Sequence, residues 1–316
     1  MYDSDSKGTS YLAGFFMLIA FAVAGLLLGS VLSIPVWTGM TGKSIADMEK
    51  YMNDPAYGKA VQVMQLVAAL CGFLLPAIVT AWLLNRKPFK LLGFTRGINW
   101  KQVSLIAGIV ITALLVSSFL SYINQAIPVP GTWRSWFDKL ENEYMNQVSA
   151  LVGLNTPLQY IISLLVIAFL PALCEESLFR GGLQNFLTRH TRRPWMSIII
   201  VSVIFSAVHF SYYGFLSRLF LGVILGYLYY YSGSIWANVL AHFLNNALAV
   251  TVLYIYSQQG KPIDKAMNDT GGSPLMGVLA LPVLIGLLIY FRKISPGPDI
   301  EPLKPGREEL RDTPFY

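Results

Sequence analysis

The amino-acid sequence predicts an all-α protein, a polytopic transmembrane helical bundle of about eight spans that contains an intramembrane polar cavity. Composition predicts the bundle, because 54% of the 316 residues are hydrophobic and only 13% are charged, against about 25% charged residues in soluble domains. Ionisable side chains inside apolar runs of the second half predict the cavity, since such residues normally face a bundle interior. The composition therefore excludes an ordinary soluble domain.

Apolar runs long enough to cross about 30 Å of hydrocarbon follow one another along the whole chain. They cover residues 11–36, 60–84, 103–124, 157–174, 194–213, 215–231, 235–256 and 274–291. The sixth run is the shortest and nearly touches the fifth, so seven spans or a re-entrant pair are also open. The first run lacks a basic start and a small-residue cleavage site, so we expect it to be retained as a span.

The spans divide the chain into three predicted parts. Residues 1–156 hold spans one to three with their connecting loops, residues 157–256 hold spans four to seven with the intramembrane polar residues, and residues 257–316 hold the last span and a polar tail. Residues 1–10 and 294–316 are polar, and we expect both to be unstructured.

The longest connection between spans has the pattern of an amphipathic helix. Its large apolar side chains recur at helical spacing: Trp133, Trp136, Phe137, Leu140 and Tyr144. Such a helix is typical of the membrane interface, but an ordinary helix packed within a loop fits the pattern equally well.

Two glycine patterns and two cysteines lie inside predicted spans. The segments "GLLLG" at 25–29 and "GVILG" at 222–226 place small residues four apart, which lets helices approach closely. Cys71 and Cys174 both fall in apolar runs, so we expect no stabilising disulfide.

The distribution of charge constrains partners and orientation. The net charge is +6, but the basic residues are spread over many short connections and form no basic domain, so we expect no nucleic-acid partner. With about eight spans, Lys and Arg are more numerous on the face that carries both termini, which favours cytoplasmic termini.

Two adjacent carboxylates, Glu175 and Glu176, follow the apolar run of the fourth span. Glu176 and Arg180 are four residues apart with the acid first, which favours a helical ion pair. Glu175 has no cation three or four residues onward. We therefore expect Arg180 to neutralise Glu176, and Glu175 to face the intramembrane histidines, where an unpaired carboxylate suits a general base.

Two histidines lie in later spans. Phe205 and His209 share one helix face in "FSAVH", and Asn238, His242 and Asn246 form a polar stripe along the seventh span. A phenylalanine at helical spacing usually belongs to the core, so Phe205 is expected to shape the site at most.

Spacing predicts which of these groups meet. Glu175 and His209 each lie seventeen residues from Arg192 (192 − 175 and 209 − 192), so an antiparallel hairpin of spans four and five would bring them level. Pro171 or the glycines at 181–182 could break the first helix of that hairpin. Straight helices would leave His242 at a different depth, so we expect bending or tilt.

Other catalytic chemistries find little support. A buried thiol such as Cys174 is normally inert, and Ser177 and Ser206 are not part of a G-x-S-x-G elbow. The sequence contains neither an H-E-x-x-H pattern nor a glycine-rich phosphate loop.

The polar pattern resembles the CPBP family of intramembrane endopeptidases, which includes CAAX prenyl proteases and the bacteriocin-processing or immunity proteins called Abi proteins. The family motifs E-E-x-x-x-R, F-x-x-x-H and H-x-x-x-N read here as "EESLFR" at 175–180, "FSAVH" at 205–209 and "HFLNN" at 242–246. The resemblance covers roughly residues 157–256. It implies a protease that hydrolyses a peptide bond of a membrane-associated protein or peptide, in the plasma membrane of a bacterium.

The resemblance also implies roles for individual residues. Glu175 takes the place of the catalytic glutamate, and His209 that of the histidine that helps it to hold and activate water. His242 and Asn246 correspond to the pair that steadies the oxyanion.

Glu176 and Arg180 match the structural half of the first motif, with Phe205 and Asn238 as further orienting residues.

The resemblance leaves the metal open, because the family is usually labelled metalloprotease. Glu175, His209 and His242 would satisfy the ligand count of a catalytic zinc site. Alternatively, Glu175 and His209 activate water alone, which leaves more groups for base and oxyanion roles and is the version we favour.

Two further hypotheses compete with the peptidase. One is a non-catalytic bacteriocin-immunity or partner-binding membrane protein that keeps the polar cluster for helix association. The other is a transporter with a proton relay, which the lack of paired broken helices or an inverted repeat disfavours.

Overall fold

The computed structural model describes residues 5–151, 156–261 and 274–297. In these three ranges the chain is all-α, and its single β-bridge, between Ser6 and Asn85, is isolated. The helices are α1 Tyr11–Thr41, α2 Gly58–Leu84, α3 Trp100–Ala126, α4 Gly131–Leu151, α5 Pro157–Thr191, α6 Pro194–Ala207, α7 Phe215–Ser232, α8 Ile235–Gln258 and α9 Pro274–Ile294. Short helical turns lie in the connections at Ile45–Asp47, Met48–Tyr51, Pro55–Tyr57 and Pro88–Leu91.

Each predicted span contains a helix, which confirms the all-α membrane bundle. Within the described ranges, six helices are long and apolar enough to cross a membrane: α1, α2, α3, α5, α8 and α9. The two remaining predicted spans, the fifth and the sixth, contain α6 and α7, which form an antiparallel hairpin. The prediction for its first arm, residues 194–213, was too long, because α6 has 14 residues and ends at Ala207. At 1.5 Å per residue α6 is about 21 Å long, shorter than the hydrocarbon core.

Helix α5 runs unbroken through Pro171 and the glycines at 181–182, where the sequence allowed for a break. It contains two π-helical segments, Leu164–Phe169 and Ser177–Gln184. The first lies directly before Pro171, where the wider turn accommodates the proline ring. The glycines at 181–182 serve packing instead: a Cβ on Gly182 would strike the side chain of Leu18 of α1.

Two large apolar clusters hold the bundle together. The first joins α1, α2, α5 and α6, and the second joins α3, α7, α8 and α9. Their fully buried members include Leu18, Leu92 and Phe186 in the first, and Ile106, Ile109 and Leu228 in the second. Helices from all three predicted parts of the chain therefore pack against one another.

The glycine patterns serve contacts within the chain. A Cβ on Gly25 would strike the carbonyl oxygen of Cys71, and one on Gly29 would lie 3.0 Å from the Cα of Ala68, so α1 and α2 touch backbone to backbone. Gly222 of α7 would have its Cβ 3.0 Å from Ser202 of α6. The patterns thus explain helix packing without an oligomer.

Residues 1–10 were expected to be unstructured, but the described part of this segment is held in place by Asp5. Arg86 donates its backbone N–H to the carbonyl oxygen of Asp5 over 2.8 Å, and Lys87 Nζ lies 3.0 Å from the Asp5 carboxylate. The hydrogen bond from Lys87 holds the pKa of Asp5 below its usual value. Residues 1–4 and 298–316, which belong to the two predicted tails, lie outside the described residues.

The predicted helix in the long connection is α4. Trp133 and Trp136 are exposed, whereas the ring of Phe137 stacks on Tyr212 with centroids 4.4 Å apart. One part of α4 therefore packs against the protein, and its position at a membrane interface stays a prediction. The side chain of Tyr144 lies outside the described residues.

Replacement of Gly25 by alanine should destabilise the bundle, because the new methyl group would strike the backbone of α2 at Cys71. Overpacking of this kind costs about 1–3 kcal/mol. We expect a lower midpoint of thermal unfolding in detergent. Gly39→Ala in the same helix is the matched control, since a Cβ on Gly39 would meet no atom within 4 Å. Equal midpoints for the two variants would contradict the proposed contact.

Candidate active site

The centre of the site is the carboxylate of Glu176, which is fully buried. Its Oε1 accepts a hydrogen bond from Arg180 Nη1 over 2.9 Å and lies 2.8 Å from Nδ1 of His242. Its Oε2 accepts from Asn238 Nδ2 over 3.2 Å. The predicted ion pair with Arg180 is confirmed. His242 approaches Glu175 as expected but also contacts Glu176, because α8 places this ring between both carboxylates, which straight-helix spacing could not show.

Local structure in α5 and α7 positions the ion pair. Glu176 ends an α-helical stretch, and the π-helical segment that carries Arg180 begins at the next residue, Ser177. Arg180 also donates from Nη2 to the carbonyl oxygen of Gly222 in α7 over 3.3 Å. A buried ion pair is tolerated only with such additional hydrogen bonds, because removing both charges from water costs several kcal/mol per ion.

Phe205 covers the ion pair and contacts both histidines. The guanidinium carbon of Arg180 lies 4.5 Å from the centroid of its ring, a cation–π arrangement. The ring centroids of His209 and His242 lie 4.9 and 6.0 Å from that of Phe205. The shaping role expected for Phe205 agrees with these contacts.

Glu175 lines a cavity and lies close to His242. Its Oε2 atom is buried and makes no hydrogen bond to any described residue. The same atom lies 4.0 Å from Nε2 of His242, too long for a direct hydrogen bond. Consecutive residues differ by about 100° around a helix, so Glu175 and Glu176 point to different surroundings. Glu175 thus lines the cavity with a carboxylate oxygen that no described residue hydrogen-bonds.

His209 lies in the turn that follows α6, and its ring orientation is set by its own helix. Nδ1 lies 2.6 Å from the carbonyl oxygen of Phe205. Because a carbonyl can only accept, Nδ1 carries the hydrogen and Nε2 presents a lone pair. His209 and Glu175 line the same cavity, as the hairpin spacing predicted. His242 lines this cavity too, so the difference in depth that straight helices would impose does not keep the three side chains apart.

The cavity has a volume of about 340 Å³. Apolar side chains form most of its wall: Val110, Ala113, Ile167, Pro171, Phe205, Leu221, Ile224, Leu225, Ala241, Ala249, Val250 and Leu253. Its polar lining consists of Glu175, His209, Arg218, His242, Asn245 and Asn246. The cavity was expected among spans four to seven only. Val110 and Ala113 belong to α3, so the third span also contributes to its wall.

Two of the polar residues were missed by sequence reasoning. Arg218 is the only charged residue of the predicted sixth span, and an arginine in an apolar run was a usable signal. Asn245 had no comparable signal, because it occupies a variable position of the H-x-x-x-N pattern at 242–246. Asn245 Nδ2 donates to Asn246 Oδ1 over 3.1 Å, which leaves the amide hydrogens of Asn246 as its remaining donors.

The residues of this arrangement do not fit a zinc site with three protein ligands. Across residues 5–151, 156–261 and 274–297, no group of three His, Cys, Asp or Glu side chains is placed to hold a metal ion. Glu175 and His242 approach each other, but His209 is not placed to complete a group of three ligands with them.

The alternative nucleophiles are turned away from the cavity. Ser177 donates its hydroxyl to the Leu173 carbonyl over 2.6 Å, and Ser206 donates to the Phe215 carbonyl over 2.7 Å. Cys174 is buried, and both it and Cys71 carry free thiols, as predicted. None of these side chains therefore contacts a histidine as a nucleophile would.

Residues 157–248 match the family model described as type II CAAX prenyl endopeptidase Rce1-like. This segment contains the three motifs and agrees with the CPBP resemblance. None of the curated proteins and none of the solved structures matches the chain.

Replacement of Arg180 by methionine should strongly destabilise the protein, because it leaves the buried Glu176 carboxylate without its cation. Removal of one partner of a buried pair costs about 3–5 kcal/mol. We expect Glu176→Gln in the same chain to restore most of the free energy of unfolding, measured in detergent. Arg193→Met, at an exposed position, is the control. A double variant less stable than Arg180→Met alone would contradict this account.

Proposed function

We propose, on the premise that residues 157–248 form an Rce1-like endopeptidase domain, that this chain is an intramembrane protease that hydrolyses a peptide bond of a membrane-associated protein or peptide. One observation carries the proposal: Glu175 lines the cavity, and its buried Oε2 lies 4.0 Å from His242 Nε2 without a hydrogen bond to any described residue. A residue retained for helix association alone would be paired. A CAAX-type prenylated end is the substrate class that the family description names.

Glu175 is the proposed general base. It takes one proton from a water molecule in the cavity as the water oxygen attacks the scissile carbonyl, and a C–O bond forms. His209 presents Nε2 as an acceptor that orients the second hydrogen of the water. Glu175 then returns its proton to the amide nitrogen, the C–N bond breaks, and a carboxylic acid and an amine leave. No step uses a metal.

His242 and Asn246 are the proposed donors for the oxyanion. His242 has a carboxylate on each side, Glu176 at Nδ1 and Glu175 near Nε2, which favours a hydrogen on both ring nitrogens. Its Nε2–H and the Asn246 amide can then donate to the developing negative charge. The apolar wall strengthens these interactions because it lowers the local dielectric.

The setting of this reaction is an integral membrane protein, since six of the described helices can span a bilayer. We infer a plasma membrane with both termini in the cytoplasm, on the basis of the excess of Lys and Arg on that face.

Replacement of Glu175 by glutamine should reduce peptide hydrolysis by about 10²–10⁴-fold, the usual contribution of a general base. His209→Ala and His242→Ala should also lose most activity. The measurement is cleavage of a quenched fluorescent CAAX-type prenylated peptide by the purified protein in liposomes. Glu143→Gln and His190→Ala are matched controls at exposed positions. Full activity of the Glu175→Gln protein would eliminate the mechanism and favour the non-catalytic immunity protein.

Removal of divalent metal should leave the hydrolysis rate unchanged, because the described residues offer no three-ligand site. The test is exhaustive dialysis of the active protein against a chelator, followed by elemental analysis and the same peptide assay. Loss of activity that added zinc restores would overturn the metal-free reaction.

A further inference from the structure

We propose that Asn124, near the end of α3, is a positioning residue for His209, and that α4 completes the support. The supported segment is the turn between α6 and α7, residues 208–214, called here the His209 turn. The inference rests on the proposed function, because it gives His209 a catalytic role. The supporting residues, Asn124 and those of α4, lie outside the matched segment 157–248, whereas the His209 turn lies inside it.

Asn124 holds the His209 turn and the start of α7 with a single side chain. Only 2% of Asn124 is exposed. Its Nδ2 donates to the carbonyl oxygen of Tyr212 over 2.9 Å, and its Oδ1 accepts from the backbone N–H of Leu216 over 3.0 Å. Leu216 lies in the first turn of α7, where backbone N–H groups lack partners within the helix. Asn124 therefore acts as a helix cap supplied by another helix.

Helix α4 forms hydrogen bonds and a ring contact with the same turn. Ser211 donates its hydroxyl to Glu141 Oε2 over 2.7 Å, and Tyr213 donates to Asp138 Oδ1 over 2.5 Å. Between them, Tyr212 stacks on Phe137. Three consecutive residues of the turn are thus held by one face of α4.

The turn needs this support because its own backbone is unfavourable. Phe210, the residue after His209, has φ +51°, in the left-handed region that a bulky side chain rarely adopts. Its side chain is 68% exposed and provides little packing. His209 itself lies beyond the end of α6 at Ala207. The conformation of the turn is therefore imposed by Asn124 and α4.

The position of His209 matters because catalytic groups act efficiently only within about 0.5 Å of their productive geometry. Glu175 and His242 are fixed by regular helices, whereas His209 depends on a turn. A small displacement of that turn would separate the Nε2 lone pair from the water that Glu175 activates. Residues of α3 and α4 thereby control kcat without lining the reacting atoms.

The first test compares Asn124→Asp with Gln125→Glu in the liposome peptide assay. Asn124→Asp retains the acceptor for Leu216 but replaces the donor to Tyr212 with an oxygen that repels the carbonyl. Gln125→Glu makes the same chemical change at the next residue, which is exposed. We expect kcat to fall about tenfold in Asn124→Asp with KM unchanged, because catalysis and not binding depends on orientation, and no change in Gln125→Glu. Equal kcat in both variants would overturn the proposal.

A second arm asks whether Asn124 acts through His209. In a His209→Ala protein, Asn124→Asp should reduce the residual kcat no further, because residues that act through one another are not additive. A further tenfold loss in that background would show a general structural role and overturn the proposal.

A third arm reads the turn without any activity. A spin label is attached at Phe210→Cys in a Cys71→Ala background, while Cys174 stays buried. Asn124→Asp should raise the mobility of the label, and Gln125→Glu should not. Unchanged mobility would overturn the support by Asn124. Raised mobility in a protein whose Glu175→Gln variant keeps full activity would preserve the support and eliminate the proposed function.

Discussion

The fully buried Glu176 carboxylate is the constraint on which the rest of the structure depends. An ionised carboxylate away from water must be paired and hydrogen-bonded, or its burial costs several kcal/mol. Arg180 supplies the charge from the same helix, whereas His242 and Asn238 come from α8. The contacts of both His242 and Asn238 with Glu176 require α8 to keep this placement against α5. The ion pair therefore determines the helix register.

That register produces the active-site geometry as a consequence. Glu175 is one residue earlier on the same helix, so once Glu176 is fixed, Glu175 must point about 100° away, towards the cavity. The same His242 ring contacts Glu176 through Nδ1 and approaches Glu175 through Nε2. Adjacent glutamates thus have opposite surroundings, one saturated with partners and the other directed at a space of about 340 Å³.

Sequence predicted the parts of the structure that depend on local spacing. Spacing along one or two helices predicts the helix of each span, the pair of Glu176 with Arg180, and the position of His209 in the same cavity as Glu175. The position of His242 between Glu175 and Glu176 depends on how α5 packs against α8, and residue spacing along one helix does not predict that packing. The π-helical segments of α5 were not predicted either, because in the sequence Pro171 and the glycines at 181–182 indicate a helix break rather than a wider turn. The anchoring of Asp5 depends on its long-range contact with Arg86 and Lys87.

The two sides of the site are held by different physical means. Glu175 and His242 sit on continuous helices whose position the buried charges enforce, so they can move little without exposing or unpairing Glu176. His209 sits on a turn whose unfavourable backbone is held by hydrogen bonds from Asn124 and α4. Hydrogen bonds of this kind contribute about 0.5–1.5 kcal/mol each, far less than the loss of a buried ion pair. The His209 side of the cavity is therefore the side held by the weaker interactions.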